Sequence, residues 1–231
     1  MVMINTIFYL LLINNVLALK SCIVLFTGGS NIMSPCIYTD FLSHIQSDHK
    51  VIKMPFLVYT KDMRDNCIEE LDKTYDTITY LAHSSGATTA INQIHPSIDR
   101  LILLDPVATP NIDYNINLDT LDSINIINAD LSYKWSYKPP FLPFIPIFKL
   151  DPDRLNIDNN RVTIETIDNY GHSDLIDKPY RDIMHFTGIS RGNPDRKREI
   201  YNYHNLLFSK INNIINRKDY PIHSRQILIR L

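Results

Sequence analysis

The sequence predicts an α/β fold, with a mostly parallel β-sheet of about six strands and helices on both of its faces. Short apolar runs alternate along the chain with segments whose apolar residues recur at helical spacing. The apolar runs are continuous, which is typical of strands buried on both faces of a parallel sheet. The chain has 231 residues, of which 45% are hydrophobic and 21% charged, and this size suits one globular domain.

Each element has a local signal. The first apolar run ends at Gly28-Gly29, and Pro35 suits the first turn of the helix that follows. The third strand is rich in β-branched residues, and the last helix has apolar residues along one face. Strands are predicted at residues 21–27, 51–56, 77–81, 100–104, 123–128 and 161–167. Helices are predicted at residues 34–47, 63–71, 88–94 and 196–216.

Charge and motif content weigh against several classes of function. The formal net charge of −2 argues against nucleic acid as the main ligand. No Cys/His cluster has zinc-ligand spacing and no Gly-rich phosphate loop occurs, so neither a metal nor another cofactor is expected. Residues 191–230 are markedly basic, which usually marks a solvated helix face. Contact of this segment with an anionic membrane surface is the alternative.

The first residues have the pattern of a secretory signal peptide. Residues 4–19 are apolar apart from Asn and Thr, and Val16-Leu17-Ala18 resembles a small-residue cleavage site. We therefore expect residues 1–18 to be a signal peptide and residues 19–231 to form a single domain. The protein would then be secreted or lie in the endomembrane lumen. The alternative is a membrane anchor formed by residues 4–19.

One segment interrupts the alternation of strands and helices. Residues 133–150 contain Trp135, the only tryptophan, together with four of the 13 prolines. Proline at this density prevents a regular helix or central strand. We expect an insertion packed over the edge of the sheet, with Trp135, Phe141 and Phe144 lining an apolar substrate pocket. The alternative is a packing cover that contacts no ligand.

A tight turn follows the third predicted strand and contains the candidate nucleophile. A serine on such a strained turn needs small residues two positions before and after it. Ala82 and Gly86 meet this requirement for Ser84. If Ser85 were the nucleophile, His83 would occupy a small-residue position, so Ser84 is the better candidate.

A serine hydroxyl becomes a good nucleophile when a base removes its proton. His172 is the candidate base, since it lies beside Gly171 on a loop shortly after the sixth predicted strand. His83 and His185 are weaker alternatives, and His83 is expected to pack beside the serine turn.

The base in turn needs a carboxylate that orients it. Asp105 ends the fourth predicted strand and is favoured, while Asp130 follows the next strand and is the alternative. Asp174 and Asp177 lie too close to the histidine in sequence and are expected to hold its loop by hydrogen bonds. Serine, aspartate and histidine then occur in the chain order of α/β-hydrolase triads.

An oxyanion hole requires about two backbone N–H donors near the reacting carbonyl. The Ser85 N–H, directly after the nucleophile, is one candidate. The loop after the first strand, with Gly28 and Gly29, is the candidate for the other, because glycine allows the backbone to approach the substrate closely.

These segments resemble the chlorophyllase-like α/β-hydrolases, a group that is also similar to platelet-activating-factor acetylhydrolases and lipases. Asp105-Pro106-Val107 resembles the family segment that carries the acid, and residues 170–174 resemble its histidine loop. Residues 82–90 are similar to its serine turn. The resemblance spans about residues 21–217 and implies Ser84, Asp105 and His172 as triad, without a metal. The chain departs from this family in one respect: its first predicted strand starts directly after the expected signal peptide, so we expect the usual leading strands of the sheet to be missing.

The sequence therefore predicts a secreted serine carboxylesterase or lipase, with a small-molecule ester or lipid as substrate. An acyltransferase, thioesterase or amidase with the same triad is one alternative. A catalytically inactive, ligand-binding homologue is the other.

Overall fold

In the computed structural model, six parallel strands form one sheet. The structure describes residues 21–31, 33–46, 48–53, 61–133, 148–186 and 197–217. The predicted signal peptide, most of the predicted insertion and the basic chain end after residue 217 lie outside the described residues. Trp135, Phe141 and Phe144, proposed to line a pocket, also lie outside them.

The sheet has the strand order β2-β1-β3-β4-β5-β6, and every neighbouring pair is parallel. Its strands are β1 (Ser21–Phe26), β2 (Lys50–Lys53), β3 (Thr77–His83), β4 (Arg100–Leu104), β5 (Ser123–Ala129) and β6 (Val162–Ile167). This confirms the predicted fold class. Two short strands, Val107–Ala108 and Phe148–Lys149, pair antiparallel beside the main sheet.

The helices are α1 (Thr39–Ile45), α2 (Lys61–Thr74), α3 (Gly86–Asn92), α4 (Lys178–Phe186) and α5 (Lys197–Asn216). Single helical turns occur at Gly28–Asn31, Pro35–Tyr38, Asp130–Tyr133 and His172–Leu175, with shorter 3-10 turns at Pro152–Arg154 and Asn159–Arg161. The sequence analysis predicted the other long helices but not α4.

Alternate residues of the strands face opposite sides of the sheet and form two cores. On one side, Phe26 and Tyr80 pack in a buried cluster with Ile68 of α2 and Ile91 of α3. On the other side the cluster joins β1 and β3 to α1 and α5. Burial of both faces explains why the strand sequences are continuous apolar runs rather than alternating ones.

Candidate active site

The candidate residues meet at the carboxyl edge of the sheet. Ser84 directly follows β3 and Asp105 directly follows β4, while Gly28 lies two residues after the end of β1. His172 lies five residues after the end of β6. Parallel strands end at the same edge, so residues far apart in sequence converge where ligands bind in sheets of this kind.

Ser84 occupies a strained turn between β3 and α3. Its φ is 57°, in the left-handed region that residues with a side chain seldom adopt. The turn is held on both sides: the Ser84 N–H donates to the Leu104 carbonyl at 3.1 Å, and the Ser84 carbonyl accepts from the Val107 N–H at 3.0 Å. This geometry fixes the serine backbone, and with it the direction of the hydroxyl.

Gly86 is required by the packing of this turn. A Cβ atom at this position would lie 2.4 Å from the Thr27 carbonyl oxygen and 2.8 Å from that of Phe26. Backbone atoms cannot move aside as a side chain can, so the helix that starts here can approach β1 only with glycine at this point. The small residue expected after the serine therefore has a specific steric cause.

Ser84, His172 and Asp105 form one hydrogen-bonded series. The Ser84 Oγ lies 2.8 Å from Nε2 of His172, and Nδ1 of the same ring lies 2.5 Å from Oδ2 of Asp105. The His172 and Asp105 side chains keep 14% and 12% of their surface exposed. The two ring nitrogens thus face different partners, as a base that relays a serine proton requires.

The contacts of Asp105 favour the ionised form of its carboxyl group. Its N–H donates to the Ile127 carbonyl at 2.7 Å, and its Oδ1 accepts from the Ala129 N–H at 3.1 Å. Burial alone would raise the pKa of Asp105, but the hydrogen bond from His172 and the backbone donor hold it below its usual value. The ring of His172 is bonded to Asp105, and Asp130, the alternative acid, instead opens the helical turn after β5.

The two alternative histidines have other contacts. Nε2 of His185, on α4, lies 2.8 Å from the Oγ of Ser173. His83 is buried beside the serine turn, as expected, with its ring centroid 4.8 Å from that of His172. Burial, and next the neighbouring His172, lower the pKa of His83 to about 3. The imidazole of His83 is therefore neutral at pH 7.

The histidine loop is held by the two aspartates expected to do so. Oδ2 of Asp174 accepts from the Gly171 N–H at 2.8 Å. The two carboxylate oxygens of Asp177 accept from the N–H groups of Thr39 and Asp40, each at 3.0 Å. The first contact closes the loop on itself, and the Asp177 contacts connect the chain just after the loop to the start of α1.

The glycine loop after β1 closely approaches the serine. A Cβ on Gly28 would lie 3.4 Å from the Ser84 Cβ, and Gly29 has a φ of 63°. The Gly28 N–H, however, donates to the Tyr38 hydroxyl oxygen at 3.0 Å. This N–H therefore already has a protein partner, whereas the expected role of Gly28 and Gly29 as oxyanion donors stays a prediction.

Sequence reasoning missed Tyr38 altogether. Its hydroxyl contacts both the glycine loop and the Nδ1 of His83, and its side chain is fully buried. In the sequence, Tyr38 stands out only as one more aromatic residue within the helix predicted at residues 34–47.

The described part of the chain contains no group of three or more His, Cys, Asp or Glu side chains that could hold a metal ion. Within the same ranges, none of the helices has the length and apolar character needed to cross a membrane.

No family model matches the sequence, and no curated protein matches it significantly. Similar solved structures include a protein described as a YdeN-like hydrolase from Pectobacterium atrosepticum, at 14% identity and a TM-score of 0.41, covering 83% of this chain and 92% of that one. A protein from Agrobacterium tumefaciens, described as an α/β hydrolase of unknown function, is 12% identical with a TM-score of 0.48 and coverage of 85% and 86%. The thioesterase domain that cyclises the lipopeptide surfactin is 10% identical with a TM-score of 0.45 and coverage of 84% and 92%.

Three features of the described chain are typical of one architecture. They are the parallel sheet order, the strained serine between β3 and α3, and the order of serine, aspartate and histidine along the chain. The chain has the α/β-hydrolase fold.

Proposed function

We propose that the protein is a serine hydrolase that cleaves carboxylic esters. The observation that supports this most directly is the series in which Ser84 Oγ meets Nε2 of His172 at 2.8 Å while Nδ1 meets Asp105 at 2.5 Å. Such a series activates a hydroxyl that is otherwise a weak nucleophile. The strained backbone at Ser84 supports the same conclusion, since strain of this kind is concentrated at functional sites.

In the proposed reaction, Nε2 of His172 takes the proton of Ser84 as Oγ attacks the ester carbonyl carbon. The carbonyl becomes a tetrahedral oxyanion, and Asp105 stabilises the imidazolium that forms. The imidazolium then gives its proton to the leaving alkoxide, which departs as an alcohol and leaves an acyl-serine. Water then attacks the acyl carbon while His172 takes one of its protons. His172 returns this proton to the Oγ of Ser84, and the carboxylic acid is released.

The oxyanion requires donors that lie in place before the reaction. We assign them to the backbone N–H groups of Ser85 and Gly29. Ser85 begins the turn into α3, and the close approach of the glycine loop to the Ser84 side chain supports the second assignment.

We also propose that the protein is related to the chlorophyllase-like hydrolases. The Asp105-Pro106-Val107 segment and the histidine loop support this relationship. The substrate is then a small-molecule ester or lipid, held on its apolar side by Trp135, Phe141 and Phe144. Secretion through the signal peptide and contact with a membrane surface are parts of the same proposal.

The test is hydrolysis of p-nitrophenyl esters from acetate to decanoate, with thioester and anilide analogues and a fluorophosphonate probe. We expect wild type to cleave esters and to be labelled, and Ser84→Ala to lose labelling and at least about 10³-fold in kcat. Ser43→Ala, which removes an exposed serine of α1, is the matched control and should keep both.

A preference for thioester or anilide would identify the thioesterase or amidase alternative with the same residues. A folded wild type that is inert on every substrate and unlabelled would contradict the proposal and favour a ligand-binding role.

A further inference from the structure

A second line of hydrogen bonds runs behind the serine and is not used in the proposed mechanism. The Gly28 N–H donates to the Tyr38 hydroxyl oxygen at 3.0 Å, and that oxygen lies 2.8 Å from Nδ1 of His83. Nε2 of His83 lies 3.1 Å from the carbonyl oxygen of His172. Tyr38 is 0% and His83 is 4% exposed, so water does not compete for these contacts.

The chemistry of the partners fixes where each proton lies. A carbonyl oxygen can only accept, so Nε2 of His83 must carry the hydrogen that it donates to His172. In a neutral imidazole the other nitrogen is then an acceptor, so the Tyr38 hydroxyl donates to Nδ1. The Tyr38 oxygen in turn accepts from Gly28, and every buried polar atom in the line is used in a single consistent direction.

The line joins the two loops that the proposed chemistry depends on. At one end is the glycine loop, where a Cβ added to Gly28 would lie 3.4 Å from the Ser84 Cβ. At the other end is the backbone of His172. The segment that carries Tyr38 is also bonded to the end of the histidine loop, through the N–H groups of Thr39 and Asp40 and the Asp177 carboxylate.

We propose that Tyr38 and His83 are positioning residues that hold the glycine loop in register with the His172 imidazole around Ser84. An oxyanion donor and a base must both lie correctly with respect to one serine, and small displacements of either reduce the rate strongly. The line gives the two loops a direct connection that does not pass through Ser84. Its neutral imidazole also puts no positive charge beside the imidazolium that forms on His172.

The kinetic part of this inference rests on the proposed ester hydrolysis. We expect Tyr38→Phe to lower kcat about tenfold with KM within about twofold, because alignment in the transition state is lost while the substrate pocket is untouched. The control is Tyr80→Phe, since Tyr80 is also fully buried but packs in the core on the opposite side of the sheet, with its hydroxyl 3.4 Å from the Gln93 carbonyl. It should keep kcat within about twofold.

Variants of His83 test the other half of the line. Gln can keep an N–H directed at the His172 carbonyl and Leu cannot, so His83→Gln should retain several times the kcat of His83→Leu. The double variant Tyr38→Phe/His83→Leu should lose no more than His83→Leu alone, because both changes break one line.

Two further readouts do not require activity. In the ¹⁵N spectrum of wild type at pH 7, His83 should carry its proton on Nε2. In Tyr38→Phe the Gly28 amide loses its acceptor, so its hydrogen exchange should become at least about tenfold faster, with no change in Tyr80→Phe.

A proton on Nδ1 of His83, an unchanged exchange rate at Gly28, or a kcat for Tyr38→Phe equal to that of Tyr80→Phe would each overturn the proposal. An inert wild type would overturn the ester hydrolysis instead, and the spectrum and the exchange rate would still decide for or against the connection between the loops.

Discussion

In the part of the chain that the structure describes, we compare two groups of serine, histidine and aspartate. The rim group consists of Ser84, His172 and Asp105. The loop group consists of Ser173, His185 and Asp174. In both groups the serine hydroxyl lies 2.8 Å from the Nε2 of its histidine, so residue types and this distance do not tell them apart.

The groups differ in how the partners are distributed over the ring. In the rim group the carboxylate faces Nδ1 at 2.5 Å, opposite the serine. In the loop group Oδ1 of Asp174 lies 4.0 Å from Nε2 of His185, the same nitrogen that faces the serine. A base that takes a proton on one nitrogen needs its carboxylate on the other, and only the rim group has that arrangement.

The two groups also differ in the solvent exposure of the serine and in its backbone conformation. Ser173 is 0% exposed, whereas Ser84 is partly exposed on a turn with a φ of 57°. A buried hydroxyl cannot reach a substrate carbonyl. The loop group therefore has a structural explanation, holding the loop that carries His172 against α4.

Removal of the two histidines should separate the groups most strongly. We expect His172→Ala to lower kcat for esters by at least about 10³-fold, because the serine loses its base. His185→Ala removes one hydrogen bond to Ser173, so kcat should stay within about threefold, with stability lower by about 1 kcal/mol. Ester kinetics and urea unfolding measure both. Equal losses of kcat in the two variants would show that the comparison is wrong.

Substitution of the two aspartates should affect different properties, kcat for Asp105 and stability for Asp174. In Asp105→Asn the amide NH₂ would donate to Nδ1 of His172 and leave the proton on Nε2, where the serine proton must go. We expect kcat to fall about 10³- to 10⁴-fold with the fold intact.

In Asp174→Asn the amide oxygen can still accept from the Gly171 N–H, so the main effect should be on stability, at about 1–2 kcal/mol. The measurement is kcat alongside the free energy of unfolding for each variant. A larger fall in kcat for Asp174→Asn than for Asp105→Asn would contradict the assignment.

The pH dependence of stability should differ between His83, which lies beside the rim group, and His185 of the loop group. The pKa of His83, beside the rim group, falls from an ordinary 6.5 to about 3 on folding. Between these two pH values the unfolded chain binds a proton that the folded chain does not, so stability decreases as the pH falls, by up to about 1.4 kcal/mol per pH unit. His83→Gln should therefore lose stability less steeply from pH 6.5 toward pH 4.

Burial also lowers the pKa of His185, but that ring is less buried, so His185→Gln should flatten the slope less. Urea unfolding at several pH values measures the slopes. A slope for His83→Gln equal to that of wild type would contradict a neutral, buried His83.

The sequence was sufficient for the sheet and for the positions of the candidate residues. Ser84 and Asp105 each directly follow a strand that is an apolar run, and parallel topology alone brings such positions together. The sequence favoured Asp105 over Asp130, but both follow strands, and the coordinates show that the His172 ring contacts Asp105.

Other features had weak or no local signals. Helix α4 was not predicted, although Asp177 followed by a proline in the first turn is a helix-start signal. The contact between Tyr38 and His83 joins residues 45 positions apart, and no pattern in either segment encodes it. The hydrogen bond from the Gly28 N–H to the Tyr38 hydroxyl could not be predicted from the sequence for the same reason.

Among the described residues, three that are not glycine have a positive φ, and two of them are Ser84 and Asp105, at 57° and 43°. Such a conformation costs about 1–2 kcal/mol at each position, a cost that glycine would not incur. Folding stability and the proposed chemistry therefore favour different residues at these two places. In an evolving lineage, relief of this backbone strain would favour glycine at both positions, whereas the proposed activity would favour keeping the hydroxyl and the carboxylate.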